Sequence, residues 1–287
     1  MFIVRCNAGL GNRLMRMISG CCTADYFKKN VKICWPKEYD CECDYTALFD
    51  YNDNVIDTCD MYNESNLYIG QHKHLDQYEI GKAVAFDHLH SQFNIDNKQI
   101  GYTSNVIPDF ITHNNIVNEV LKHRIKKSLI RKALKFINDN NIDKSVLGLV
   151  VRLTDRHNPK TITAAYNIIE SNKDRQIFIT CDSSDFIKTL SKFPNVIFYK
   201  QTIFPVTYDN CYELNACHNN YMPRFNKAPL RRVCYRSEES IVEAFITMLV
   251  LSQTDIHSPI TQFESFFQKA AYMLYSHIDL RLFLLNN

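Results

Sequence analysis

Residues Met1-Phe2-Ile3-Val4-Arg5-Cys6 form a short β-prone run that passes directly into Asn7-Ala8-Gly9-Leu10-Gly11-Asn12-Arg13-Leu14. A turn with two glycines is thus followed at once by a helical pattern, and no other segment constrains the fold as strongly. Glycine accepts positive φ and carries no side chain, so a ligand can approach such a turn closely. The helix N-terminus beyond it presents N–H groups and a partial positive charge that suit phosphate. Asn12 and Arg13 add side-chain donors. A strand-to-helix turn without any ligand has the same signature, and at this point both readings stand.

The pattern predicts strand Phe2–Cys6, helix Asn12–Lys29 and strand Val31–Trp35, the last stopped by Pro36. Leu14, Met17, Ile18, Cys21 and Ala24 recur at three- and four-residue steps along the helix. This is a βαβ unit, which favours a parallel sheet with a right-handed crossover. From Lys37 to Gly101 the chain is irregular and rich in Asp, Asn, Tyr and His, with weak strand signals at Asn66–Ile69 and Ala83–Phe86. One long helical pattern then passes from Ile116 through Val120, Leu121, Ile125, Leu129, Ile130 and Leu134 to Ile137.

A second alternating series follows. Val146–Val151 is almost wholly apolar, as in a strand buried on both faces. Helix Ile162–Glu170, strand Gln176–Thr180, helix Ser184–Lys192 and strand Asn195–Tyr199 succeed it. Ser237 is placed to cap a helix running to about Gln253, with Glu238 and Glu239 in its first turn. Strand Asp255–His257 and a last helix from about Thr261 to Tyr275 complete the reading. The predicted fold is α/β, with two Rossmann-like domains, 1–140 and 141–287, facing a central cleft. Ligands of open parallel sheets bind beyond the carboxyl ends of the strands.

A formal net charge of +2 over 287 residues excludes a general nucleic-acid binder, so any positive site must be local. The longest apolar run, Ala244 to Leu251, is too short to span a bilayer, and no signal peptide or anchor is evident. Eleven cysteines without a secretion signal suggest a reducing, cytoplasmic setting. Cys6, Cys21, Cys22 and Cys34 lie in apolar patterns, where a thiol behaves as a small hydrophobe. A zinc reading of Cys41-Glu42-Cys43 with Cys34 and Cys59 lacks a paired C-x2-C spacing.

Three polar segments sit where chemistry is expected. Arg152-Leu153-Thr154-Asp155-Arg156 leaves the carboxyl end of the buried strand, and its arginines can clamp phosphate oxygens bidentately. An internal Arg–Asp pair tying down the loop is the bland alternative. Thr180-Cys181-Asp182-Ser183-Ser184 follows the next strand, with Asp182 as a ligand contact or simply part of a cap. Asp255 precedes Ser258, Thr261, Phe263 and Ser265, hydroxyls and an aromatic at a strand-to-helix junction suited to phosphate and to a base edge. Thr261 is equally well placed as an ordinary helix cap.

In order and spacing, Gly9-Leu10-Gly11-Asn12-Arg13-Leu14, Arg152-Leu153-Thr154-Asp155, and Asp255 with Phe263-Glu264-Ser265 and Ala271-Tyr272 resemble the GDP-fucose-dependent fucosyltransferase superfamily. The Nod-factor and core α1,6-fucosyltransferases are the nearer branch and the protein O-fucosyltransferases the more distant. The resemblance implies a GT-B fold, a metal-independent inverting reaction with no cofactor, and a nucleotide-sugar donor, GDP-fucose. The first half becomes the acceptor side and the second half the donor side. Gly11, Asn12, Arg13, Arg152, Thr154, Arg156, Asp182, Asp255, Ser258, Thr261, Phe263 and Ser265 fall to donor binding. Arg152 also serves catalysis, and Asp155 or Asp87 is the base. Three positions depart from the family pattern: Val150 replaces a histidine, Leu153 a second arginine and Lys160 a glutamate.

The acceptor implied is a hydroxyl of a glycan or glycoconjugate, with Tyr62–His90 as a candidate acceptor surface. Nucleic acid and a membrane span have no place in this reading. Two rivals remain in view: a same-fold transferase with another donor, such as a pentosyltransferase, and a non-catalytic nucleotide- or glycan-binding protein.

Overall fold

The computed structural model describes residues 1–57, 67–69, 100–104, 106–154, 159–208, 233–256 and 265–285. Two compact units emerge, one made of Met1–Lys37 and Asp44–Arg124, the other of Glu38–Cys43 and Ile125–Asn287. The junction at Arg124–Ile125 precedes the helix Lys127–Asp139, which therefore belongs to the second unit.

The first unit opens with β1 (Phe2–Arg5), α1 (Leu10–Tyr26) and β2 (Val31–Cys34). β1 and β2 pair in parallel, Phe2 opposite Val31 and Arg5 opposite Cys34, as the βαβ reading requires. α2 (Tyr45–Leu48), β3 (Val55–Ile56), β4 (Leu67–Ile69) and β5 (Ile100–Tyr102) follow. The sheet is parallel in the order β3-β2-β1-β5-β4. Successive strands run outward from β1 on one side and the rest of the sheet lies on the other, which makes β1 the strand at which the order reverses.

α1 buries Leu14, Met17, Ile18, Cys21 and Ala24, the residues its periodicity selects. A Cβ on Gly20 would stand 2.5 Å from Val4, so this glycine lets the helix lie close against β1. The helix ends at Tyr26, and Lys28 then adopts a φ of 53° that turns the chain toward β2.

The apolar periodicity from Ile116 to Ile137 predicts one helix, and two form: α3 (His113–Lys122) and α4 (Lys127–Asp139). α3 starts with a capping box between Thr112 and Asn115. It ends at His123, whose φ and ψ of −83° and 88° leave the helical region while its ring is buried against Tyr45. Periodicity continues through such a break because both helices need an apolar face.

The second unit contains β6 (Leu147–Val151), α5 (Pro159–Ser171), β7 (Ile177–Cys181), α6 (Ser184–Leu190), β8 (Val196–Ile197), β9 (Val206–Tyr208), β10 (Val233–Tyr235), α7 (Glu238–Leu251) and β11 (Asp255–Ile256). α8 (Phe266–Ala270) continues as a π-helical turn, Ala271–Tyr275, and α9 (Leu282–Leu285) comes last. The main sheet is parallel in the order β11-β6-β7-β8. Every residue of β6 and β7 is buried, as befits strands covered on both faces. Here β6 is the strand of reversal. Ser237 caps α7 through its side chain as expected. The antiparallel pair β9–β10 has no counterpart in the sequence reading, because strands of three residues carry almost no periodic signal.

The expected strand at Ala83–Phe86, and the start of the last helix at Thr261, lie outside the described residues. Among the described residues no helix is long and apolar enough to cross a membrane.

Gly148 in β6 provides a direct test of this packing. A Cβ there would lie 2.0 Å from Thr254 Oγ1 and 2.9 Å from Leu251 Cδ1. Gly148→Ala should therefore destabilise the fold by about 1–3 kcal/mol, the usual cost of overpacking. Unfolding in urea unchanged from the parent would contradict the close approach of α7 and β11 to β6.

Candidate functional site

Both reversal strands deliver a polar motif at their carboxyl ends, and open parallel sheets bind ligands at such points. In the second unit the motif is Arg152-Leu153-Thr154, immediately after β6. In the first it is Asn7-Ala8-Gly9, between β1 and α1.

The β6 loop is organised by Asp182, which leaves the end of the adjacent strand β7. One carboxylate oxygen accepts from the backbone N–H of Leu153 at 2.7 Å and of Thr154 at 3.3 Å; the other accepts from Thr154 Oγ1 at 2.5 Å. Arg152 Nε lies 3.9 Å from the same carboxylate. Carboxylate acceptors make hydrogen bonds roughly twice as strong as neutral ones, so Asp182 fixes the course of the loop. Arg152 and Asp182 keep side-chain exposures of 25% and 16%, and both remain accessible at the sheet edge. The structure thus brings Arg152, Thr154 and Asp182 together. Leu153, at the position of the missing second arginine, is buried in the core with Ala165 and Phe186.

The glycine turn is built differently from the expectation. Gly9 has a φ of −65°, and Ala8 is the left-handed residue at 68°. A non-glycine residue in that region is strained and persists only where its surroundings hold it. Here they do: Arg13 Nε donates to Ala8 O at 2.6 Å, Arg13 Nη1 donates to Pro36 O at 2.5 Å, and the guanidinium lies 5.4 Å from the Trp35 ring centroid. Arg13 is fully buried. One turn further along α1, Arg16 donates to Asn7 O at 2.8 Å and to the Asn7 side chain. Gly9 caps α1 without a side chain and the first turn carries no acidic residue. The first-turn amides of a helix have no intrahelical acceptor, and its N-terminus carries a partial positive charge.

Asp255 is placed elsewhere. It pairs with Leu147, the first residue of β6, whereas Arg152 follows the last. Because the strands are parallel, Asp255 stands at the amino edge of the sheet, about 16 Å along β6 from Arg152. Its carboxylate accepts from Arg175 Nη2 at 2.7 Å. Ser265 caps α8 and is buried, with its hydroxyl unbonded. Asp155, Arg156, Ser258, Thr261, Phe263 and Asp87 lie outside the described residues. Arg16 went unassigned in the sequence, although its three-residue step from Arg13 puts both on one helical face.

The buried fork of Arg13 makes a structural claim that lysine can test. Arg13→Lys keeps the charge but cannot reach two carbonyls and an aromatic face at once. Stability should fall by about 1.5–3 kcal/mol. A variant as stable as the parent in chemical denaturation would show that the turn does not depend on the fork.

No family model matches the chain, and no curated protein matches it in sequence. Solved structures do match. The NodZ α1,6-fucosyltransferase soaked with GDP-fucose superposes with a TM-score of 0.61 at 14% identity, over 96% of this chain and 92% of that one. The same enzyme co-crystallised with GDP gives 0.58 at 13% identity, over 96% and 92%. Fucosyltransferase NodZ from Bradyrhizobium gives 0.58 at 13%, over 96% and 93%. The parallel sheets of both units, reversing at β1 and β6, have the GT-B fold of these solved structures.

Proposed function

We propose that the chain is an inverting, metal-independent glycosyltransferase that moves L-fucose from GDP-fucose to a hydroxyl of a glycan or glycoconjugate. The observation that carries the proposal is the Asp182-braced turn presenting Arg152 at the carboxyl end of β6, on a fold seen in NodZ with GDP-fucose. Arg152 is the guanidinium that meets the donor diphosphate. Asp182 acts through the loop: its carboxylate is occupied by Leu153 and Thr154, so it positions Arg152 and Thr154. Ser265, Ser258 and Thr261 supply hydroxyls to the same donor, Arg156 a second charge, and Phe263 an aromatic face. In the first unit, Gly11 and Asn12 offer amides for phosphate while Arg13 holds their turn in shape.

The reaction is a direct displacement. The acceptor hydroxyl gives its proton to a carboxylate, for which Asp155 and Asp87 are the candidates. Its oxygen bonds to the anomeric carbon as the bond from that carbon to the diphosphate breaks. Charge grows on the departing diphosphate, and a preorganised guanidinium stabilises it there. Cysteine usage favours a reducing, cytoplasmic setting.

A second reading keeps the fold and changes the donor. Leu153 is buried where the family carries an arginine, which removes one phosphate contact and leaves room for another nucleotide sugar, such as a pentose donor.

Arg152→Ala should lower donor affinity and turnover together by about 10- to 150-fold, the equivalent of roughly 1.5–3 kcal/mol for a charged hydrogen bond. Normal turnover in that variant would remove the phosphate role. Thermal shifts with GDP, UDP, CDP and their sugar conjugates separate the donors, since a ligand of the folded state stabilises it by RT ln(1 + [L]/Kd). Stabilisation by GDP and GDP-fucose alone is the expected result; a response to UDP sugars instead would transfer the proposal to the second reading.

A further inference from the structure

We propose that Cys21, Glu119 and His123 form a binding site for a single zinc-class divalent cation that fastens α1 to α3. Glu119 lies in the last turn of α3 and His123 at its C-cap, four residues on, and Cys21 faces them from α1. Their ligand atoms all lie within 4.8 Å of one another. His123 Nε2 and Glu119 Oε1 are 3.3 Å apart. Bonds of 2.0–2.3 Å to a tetrahedral zinc require ligand atoms separated by about 3.3–3.7 Å, so the His–Glu edge already has the right length and Cys21 needs to close by about 1 Å or less.

The surroundings of the three residues suit ligation. His123 Nδ1 is engaged by the Tyr45 hydroxyl at 3.0 Å, the outer contact that normally fixes the orientation of a metal-bound imidazole. Nε2 is left buried, without a hydrogen bond, and points its remaining capacity at Glu119 and Cys21. Glu119 Oε2 is held by Lys122 Nζ at 2.7 Å, which leaves Oε1 for a cation. All three residues are more than nine-tenths buried. The neighbouring Cys22 thiol is directed to Asn115 O, 3.7 Å away, and is not needed. Burial, together with the charge of Glu119, pushes the Cys21 thiol well up, so a cation must displace its proton on binding. Water completes the fourth position. This site lies more than three turns along α1 from Gly9, about 18 Å away at 1.5 Å per residue, and is independent of the proposed transfer reaction.

The test uses the purified full chain, stripped of metal and titrated with zinc against a chromophoric chelator, and separately with cobalt(II). We expect one zinc per chain and a thiolate-to-cobalt charge-transfer band. Cys21→Ser should lose the band, Glu119→Gln should weaken zinc by more than about tenfold, and Cys181→Ser, in the other unit, should preserve both. A wild-type chain that takes up no stoichiometric zinc overturns the proposal, and so does a band that survives in Cys21→Ser. Should Cys21→Ser fail to fold, the near-isosteric Glu119→Gln decides: unchanged zinc affinity there counts against the site.

Discussion

A parallel sheet must be covered on both faces, and that requirement governs how this chain is put together. β6 and β7 are buried throughout, and β1 is buried along Phe2, Ile3 and Val4. Their side chains are almost all apolar, Thr180 in β7 excepted, so functional groups are pushed to strand ends. The covering elements must also pack very closely, which explains Gly20 of α1 against Val4 and Gly148 against Thr254 in the turn after α7. Polar chemistry is left to the loops beyond the carboxyl ends, and most sharply to those after the reversal strands β1 and β6.

Arginines that look alike in the sequence are separated by this geometry. Arg13 and Arg152 both follow a strand end and both fit a phosphate motif. Arg13 is nevertheless fully buried, with its charge spread over two carbonyls and the Trp35 face, whereas Arg152 stays partly exposed beside a carboxylate. A buried charge is tolerated only when it is well supplied with hydrogen-bond partners, and the carbonyls of Ala8 and Pro36 take two of the five Arg13 donors. That same contact holds Ala8 in the left-handed region. The strain of the turn and the burial of the arginine are thus two aspects of one interaction.

The sequence was most legible where a single periodicity ran without interruption. α1 shows its apolar face at regular steps, and β6 its continuous apolar run; both lie close to their expected limits. The α3–α4 break was hidden because His123 interrupts the backbone without interrupting the hydrophobic spacing. Asp255 misled for another reason: a short strand at a sheet edge gives no hint of its register, and only the pairing with Leu147 reveals that it stands at the amino edge. Asp182 was recognised as a strand-end carboxylate, but its hold on the Leu153 and Thr154 amides depends on β7 lying beside β6. Glu119 and His123 stand four residues apart at the end of α3, but Cys21 could not be joined to them from spacing alone, because α1 and α3 are separated by most of the first unit.

The two loops at the reversal strands are stabilised with opposite polarity. After β1, the loop's acceptors, the carbonyls of Asn7 and Ala8, are consumed by the cationic side chains of Arg16 and Arg13. Fixed positive charge stands behind that loop, and its donors are the amides of the first helical turn. After β6, the loop's donors, the amides of Leu153 and Thr154, are consumed by the anionic Asp182. Those amides cannot also serve an anion, so in the proposed reaction the attraction for phosphate there falls to Arg152. Backbone amides are rigid and change little with side-chain substitution, whereas an arginine clamp is set by one residue and its brace. On the proposed function, anion recognition in the second unit rests on the pairing of Arg152 with Asp182, and in the first on the helix terminus itself.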